Sequence, residues 1–223
     1  MEKSGYSRRS MAGSRGRYIA IEGIDGSGTT LQTGALATAL RARGHRVLET
    51  REPTGDLTIG PLIRAALATS TIEPPLDPRA LALLFAADRI DHAQRKLGPA
   101  VADGVVVLSD RAVLSSLAYQ SLDCELAWVR TINRHARAPD LCLFLEVPAE
   151  VAYARVQRRR GLTGAIEERF DVPELQRRVA ANYTALIDEA DAATLGTCVR
   201  VDGTRAPEDV TRALLRACVD AGL

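Results

Sequence analysis

The sequence predicts an α/β fold: a central parallel sheet of about five strands with helices on both faces. Two observations carry this. Apolar, β-branched runs recur at "RYIAIEG", "HRVLETR", "GVVVLSD", "LCLFLEV" and "TCVRVDG", and most of the stretches between them carry helical periodicity. Strand alternating with helix gives parallel neighbours, whose crossover helices cover both faces of the sheet. A chain of 223 residues, 46% hydrophobic and 26% charged, has the size of one globular domain with a substantial core.

Taken in order, residues 1–16, "MEKSGYSRRSMAGSRG", contain no apolar segment and are expected to form a disordered leader, with a single domain over 17–223. The first strand is followed by the glycine loop "IEGIDGSGTT" and the helical "TTLQTGALATALRARG". Asp77 before Pro78 marks a helix start, cap then first-turn proline, and the helix is expected to run to about Gly104. Pro148 opens a further helix with Gly161 as its expected stop, and Pro207 opens the last one.

The formal charge of +1 supplies no overall pull toward nucleic acid or an anionic membrane, so any anion site must be local. Cys124, Cys142, Cys198 and Cys218 are widely spaced, with no C-x-x-C pair and no His at metal spacing, which argues against a zinc site or a disulfide framework; reduced, mostly buried thiols are expected. No apolar run reaches membrane-spanning length; a soluble, cytoplasmic protein is expected.

Gly23, Gly26 and Gly28 stand between a strand and a helix, where glycines let backbone N–H groups close around a phosphate at a helix N-terminus. Gly23 to Gly28 followed by Thr29 and Thr30 is the spacing of an ATP-binding phosphate loop, formed by Gly23, Ile24, Asp25, Gly26, Ser27, Gly28, Thr29 and Thr30. Thr30 falls at the magnesium-ligand position, and Thr29 stands where lysine is usual. A threonine offers one neutral hydrogen bond, worth about 0.5–1.5 kcal/mol, so charge must come from elsewhere. Lysine occurs only at Lys3 and Lys96, which leaves arginine to supply 27 of 29 basic side chains. Arg155, Arg158 and Arg159 share one predicted helix face, and Arg160 and Arg169 flank "GLTGAIEE"; together they read as a phosphate-closing lid over about 155–170. The alternative is a solvated basic face, or ion pairs to Glu167 and Glu168.

"GVVVLSDR" ends in Asp110, a candidate magnesium ligand, and Arg111, a candidate for a second phosphate or an ion pair capping the strand; ligands gather at the carboxyl ends of such strands. "TREPTG" brings Arg51 and Glu52 to the same rim, where Glu52 offers acceptors to a sugar hydroxyl or metal-bound water. Phe85 and Arg89, four apart, form an aromatic plate and planar donor suited to a nucleobase, or else core plus a salt bridge with Asp88. His45, His92 and His135 fit no catalytic pattern.

Taken together, "EGIDGSG" with Gln32, "TREPTG" with "IGPLIR", "LLFAADR", "SDR" with "SSLAYQ", "PDLCLFLEVP", "ERFD" and "VDGTRAPEDV" resemble the thymidylate kinase family from about Tyr18 almost to the C-terminus. The resemblance implies a P-loop nucleoside monophosphate kinase fold, phosphorylation of dTMP by ATP with Mg²⁺ in dTTP synthesis, and a homodimer formed through helices including the long one. It also implies that Asp25 and Glu52 lie near the deoxyribose or the metal, that Arg111 holds the dTMP phosphate, and that Phe85 stacks on thymine while Arg89 hydrogen-bonds it. Ser116, Tyr119 and Gln120 line the same pocket by the same resemblance. Since "IDGS" carries no arginine, the chain resembles the branch of the family that places its catalytic arginine in the lid, which implies one among Arg155, Arg158, Arg159 and Arg160. The departures are Thr29 for lysine, Ala112 for an aromatic, Glu146 for aspartate and "PTGD" for a Gly-Gly turn. A catalytically silent nucleotide-binding protein and a deoxynucleoside kinase are the alternatives.

Overall fold

The computed structural model describes residues 16–68, 75–164, 170, 172–189 and 191–223. The leader up to residue 15, and Glu167, Glu168 and Arg169 of the expected lid, lie outside the described residues.

Each apolar run forms a strand: β1 (Tyr18–Glu22), β2 (Val47–Arg51), β3 (Val106–Asp110), β4 (Leu141–Glu146) and β5 (Thr197–Asp202). They make one parallel sheet in the order β2-β3-β1-β4-β5, with Tyr18 opposite Val107 and Ile19 opposite Leu141. β1 and β3 are buried throughout, whereas the edge strands β2 and β5 are partly exposed, as expected when helices cover both faces. The pleat sends alternate residues to opposite faces. Ile19, Ile21 and Leu143 pack with Leu36 and Leu40 of α1 (Thr29–Ala42) and Leu214 of α10 (Pro207–Asp220). Cys142 and Phe144 point the other way, toward Leu117 of α5 (Val113–Gln120) and Tyr183 of α8 (Pro173–Asp188). Burying each such leucine or isoleucine contributes about 1.5–3 kcal/mol.

The shorter helices are α2 (Gly60–Leu67), α6 (Leu126–Ile132) and α9 (Ala192–Leu195). Asp77 caps α3 (Pro78–His92) by accepting from the Arg79 N–H at 2.8 Å. The helical path then continues through a π turn (Ala93–Leu97) into α4 (Gly98–Ala102). Pro99 has no N–H to donate to the preceding turn and its ring needs room, which accounts for the widened turn before it.

α7 (Ala149–Thr163) runs through Gly161 rather than stopping there. The terminator is Gly164, whose φ of 65° gives the left-handed cap and whose N–H donates to the Arg160 carbonyl at 2.8 Å. The four cysteines are free; Cys142 and Cys218 are buried, Cys124 and Cys198 only partly. No helix among the described residues is long and apolar enough to cross a membrane.

Candidate active site

Strand order reverses at β1: the chain leaves it for β2 on one side and later places β4 on the other, so a crevice opens beyond its carboxyl end. A cavity of about 820 Å³ occupies that crevice. Its floor is the phosphate loop. Gly28 has a φ of 100° and precedes α1 with no side-chain cap, and the first turn of α1 carries no acid, so the positive helix end is left to an outside anion. Gly26 is glycine for a second reason: a Cβ there would lie 2.1 Å from the Ala152 carbonyl oxygen of α7. The lid helix and the phosphate loop are therefore in backbone contact.

Asp25, Gly26, Ser27, Gly28, Thr29 and Thr30 line the cavity, while Ile24 is buried in the core and Gly23 accepts from Arg111 through its carbonyl. Thr30 Oγ1 donates to Asp110 Oδ2 at 2.5 Å, which brings together the two residues expected to serve magnesium. Asp110 Oδ1 and Ser27 Oγ are buried with no protein partner, the condition of groups that take theirs from a ligand. An oxygen-rich pair with a spare carboxylate oxygen suits a hard cation that completes its shell with water and phosphate oxygens.

Arg111 is the one non-glycine residue among those described with positive φ, at 74°. Such a conformation costs on the order of 1–3 kcal/mol and persists where neighbours over-determine it. Here Nη2 donates to Asp25 Oδ1 at 2.6 Å and Nη1 to the Gly23 carbonyl at 2.8 Å, with the guanidinium 5.2 Å from the Tyr119 ring centre. Tyr119 Oη donates to Asp25 Oδ2 and accepts from the Asp25 N–H, both at 3.0 Å. Burial pushes the Tyr119 phenol well above its ordinary range, so it stays neutral.

The other wall carries Phe85, Arg89, Ser116 and Gln120, whose Oε1 is buried without a protein partner. Arg89 is buried and donates from Nε to Glu52 Oε2 at 2.8 Å, from Nη2 to Ser116 Oγ at 2.9 Å, and to Asn133 Oδ1. Its carboxylate partner is thus Glu52. Asp88 instead accepts from the Thr54 N–H at 2.8 Å and from its hydroxyl at 2.6 Å. Glu52 Oε1 meets His92 Nδ1 at 3.2 Å, so both of its oxygens are engaged inside the protein. Burial pushes the Glu52 carboxyl up, but Arg89 and His92 outweigh it and hold it below the usual carboxylate range.

Of the lid arginines, Arg155 and Arg159, one turn apart, line the cavity; Arg158 and Arg160 do not. Arg155 donates through both terminal nitrogens to the Gly203 carbonyl at 3.1 Å. Sequence reasoning missed Arg64 and Arg205 in the cavity wall, His92 behind Glu52, Asn133 beside Arg89, and Glu22 and Tyr183 beneath Arg111. For Glu22 a signal was available, an acid inside an otherwise apolar strand. His92, Asn133 and Tyr183 carry no local mark.

A glycine loop opening a helix at one end of the crevice, an Asp-Arg pair at the end of β3 and an arginine-bearing helix above them are the arrangement of a P-loop kinase with the sheet order described. Comparison narrows the class. The sequence model of the family described as Thymidylate kinase matches residues 21–212, and the chain belongs to that family of nucleoside monophosphate kinases. It is 40% identical over 177 residues to the probable thymidylate kinase of Pyrococcus horikoshii, covering 78% of this chain and 84% of that protein. It is 39% identical over 215 residues to the thymidylate kinase of Cereibacter sphaeroides, covering 92% and 94%, and 37% over 195 residues to the probable thymidylate kinase of Pyrobaculum aerophilum, covering 86% and 91%.

Proposed function

We propose that this chain transfers the γ-phosphoryl group of ATP to the 5′-phosphate of dTMP, giving ADP and dTDP for dTTP synthesis. The observation that carries this reading is one cavity lined at one end by the residues opening α1 and at the other by Arg111 with Asp25 and Tyr119, cationic and N–H donors that suit two phosphates. Family membership supplies the acceptor class, and the names of the relatives supply dTMP.

The loop N–H groups hold the donor phosphates, and Arg111 holds the acceptor phosphate so that one of its oxygens attacks the γ-phosphorus in line; the bond to the ADP oxygen breaks as the new one forms. No covalent enzyme intermediate is needed. Thr30 and Asp110 would hold Mg²⁺, which supplies neutralisation of phosphate charge. Arg159 and Arg155 close over the transferring group and provide the positive charge that Thr29 does not. Phe85 stacks on the base while Arg89, held rigid by Glu52 and Asn133, donates to it; Ser116 and Gln120 complete that wall. The protein acts as a cytoplasmic homodimer. Leu83 and Ile90, seven residues apart on α3 and 50% and 44% exposed, offer the apolar face for it.

Thr29 favours one other reading, a nucleotide-binding protein without turnover. Formation of ADP from ATP and dTMP separates the two.

A further inference from the structure

Glu22, the last residue of β1, is fully buried, and the hydrogen bonds of its side chain go to the segment that carries Arg111 or to Tyr183. Oε1 accepts from the Ala112 N–H at 2.8 Å and the Ser115 N–H at 3.2 Å. Oε2 accepts from Ser115 Oγ at 2.5 Å and Tyr183 Oη at 3.1 Å. Those two hydroxyls in turn lie 3.1 Å and 3.4 Å from Arg111 Nη1, and 2.8 Å from each other. One carboxylate therefore fixes the backbone just after the left-handed Arg111 and, through two hydroxyls, the guanidinium itself. The rest of the turn is pinned to match: the Arg111 N–H donates to the Ile21 carbonyl at 2.9 Å, and its carbonyl accepts from Ser109 Oγ at 2.7 Å.

We propose that Glu22 is a positioning residue for the acceptor site: it holds Arg111 in the strained conformation that presents its guanidinium to the phosphate of a nucleoside monophosphate. This rests on the reading of Arg111 as the acceptor-phosphate arginine. A buried carboxylate that faces four donors is costly to place and is retained here where the chain turns against its own steric preference.

The test is steady-state kinetics of the full chain with dTMP and ATP varied in turn, for Glu22→Gln, Glu22→Ala, Tyr183→Phe and Arg111→Ala, with folding checked by circular dichroism. Glutamine keeps an acceptor for the two N–H groups, so Glu22→Gln is expected to leave the dTMP KM within about threefold, whereas Glu22→Ala raises it at least about tenfold with the ATP KM unchanged. Tyr183→Phe keeps its ring on Phe144, removes one hydroxyl, and is expected to raise the dTMP KM about threefold; it decides the matter if Glu22→Ala does not fold. A dTMP KM unchanged in folded Glu22→Ala, or in Tyr183→Phe where that variant does not fold, overturns the proposal, as does an equal shift of both KM values. If Arg111→Ala itself leaves the dTMP KM unchanged, the underlying reading fails and the proposal with it.

Discussion

Asp25 Oδ1 and Arg111 Nη2 lie 2.6 Å apart, joining the phosphate loop after β1 to the residue that follows β3. Arg111 meets Asp25, the Gly23 carbonyl and Ser115 at once, which the guanidinium fork allows and a lysine point charge does not. Both Arg111→Ala and Arg111→Lys are therefore expected to raise the dTMP KM by at least about tenfold, the worth of one charge-assisted phosphate contact, with little change for ATP. Initial rates at saturating ATP check this; unchanged dTMP kinetics would remove Arg111 from the acceptor site.

Thr29 is almost fully buried at the start of α1 and lines the cavity, at the position where lysine is usual in a phosphate loop. Thr29→Lys replaces a neutral contact by a charged one, and kcat is expected to be retained or to rise by up to about fivefold. A severe loss in a folded variant would mean that the loop is adapted to threonine.

The lid arginines separate by position on α7. Arg159→Ala is expected to lower kcat by roughly two orders of magnitude, because it removes a cation from the cavity wall. Arg158→Ala, at an exposed site outside that wall, is expected to stay within about threefold. The reverse order in parallel assays would mean that a different lid position serves the reaction.

Two buried carboxylates give pH effects of opposite sign. Burial pushes Glu22 up to about 7 from an ordinary value of 4.5, although Ser115, Arg111 and Ala112 pull the other way. Between pH 4.5 and 7 the folded chain holds more protons than the unfolded one, so Glu22 costs stability as pH rises through that window, by up to about 3 kcal/mol. Glu52, held below its ordinary 4.5 by Arg89 and His92, contributes stability present above about pH 4.5 and lost as pH falls through its lowered value. Urea unfolding across pH 3–8 is expected to show a decline from pH 4.5 to 7 that Glu22→Gln flattens, and an acid-side loss that Glu52→Gln flattens. Slopes unchanged by either substitution would contradict the assignment.

Much of the fold was legible because its signals are local. Five apolar runs became five strands, and Asp77-Pro78 and Pro207 opened helices where their chemistry requires. Gly161 misled, since a glycine inside a helix and one at its end look alike in sequence and only the left-handed cap at Gly164 distinguishes them. Motif residues reached the cavity from well-separated segments, among them the phosphate loop, Arg51 and Glu52, Phe85 and Arg89, the Asp110-to-Gln120 stretch and the lid arginines Arg155 and Arg159. Their supports were not legible: Glu22 meets Tyr183 across 161 positions and Arg89 meets Asn133 across 44, pairings that only tertiary packing creates. That Arg89 pairs with Glu52 and not with Asp88 likewise turned on the loop after β2, where Thr54 claims Asp88.

A phosphate loop without its lysine is expected still to support transfer to dTMP. Steady-state ADP formation by the purified chain with ATP, Mg²⁺ and dTMP, with dUMP and thymidine as alternative acceptors, tests it most directly. Turnover is expected with dTMP and none with thymidine, which has no phosphate for Arg111. Tight nucleotide binding without ADP formation, or turnover with thymidine, would contradict it.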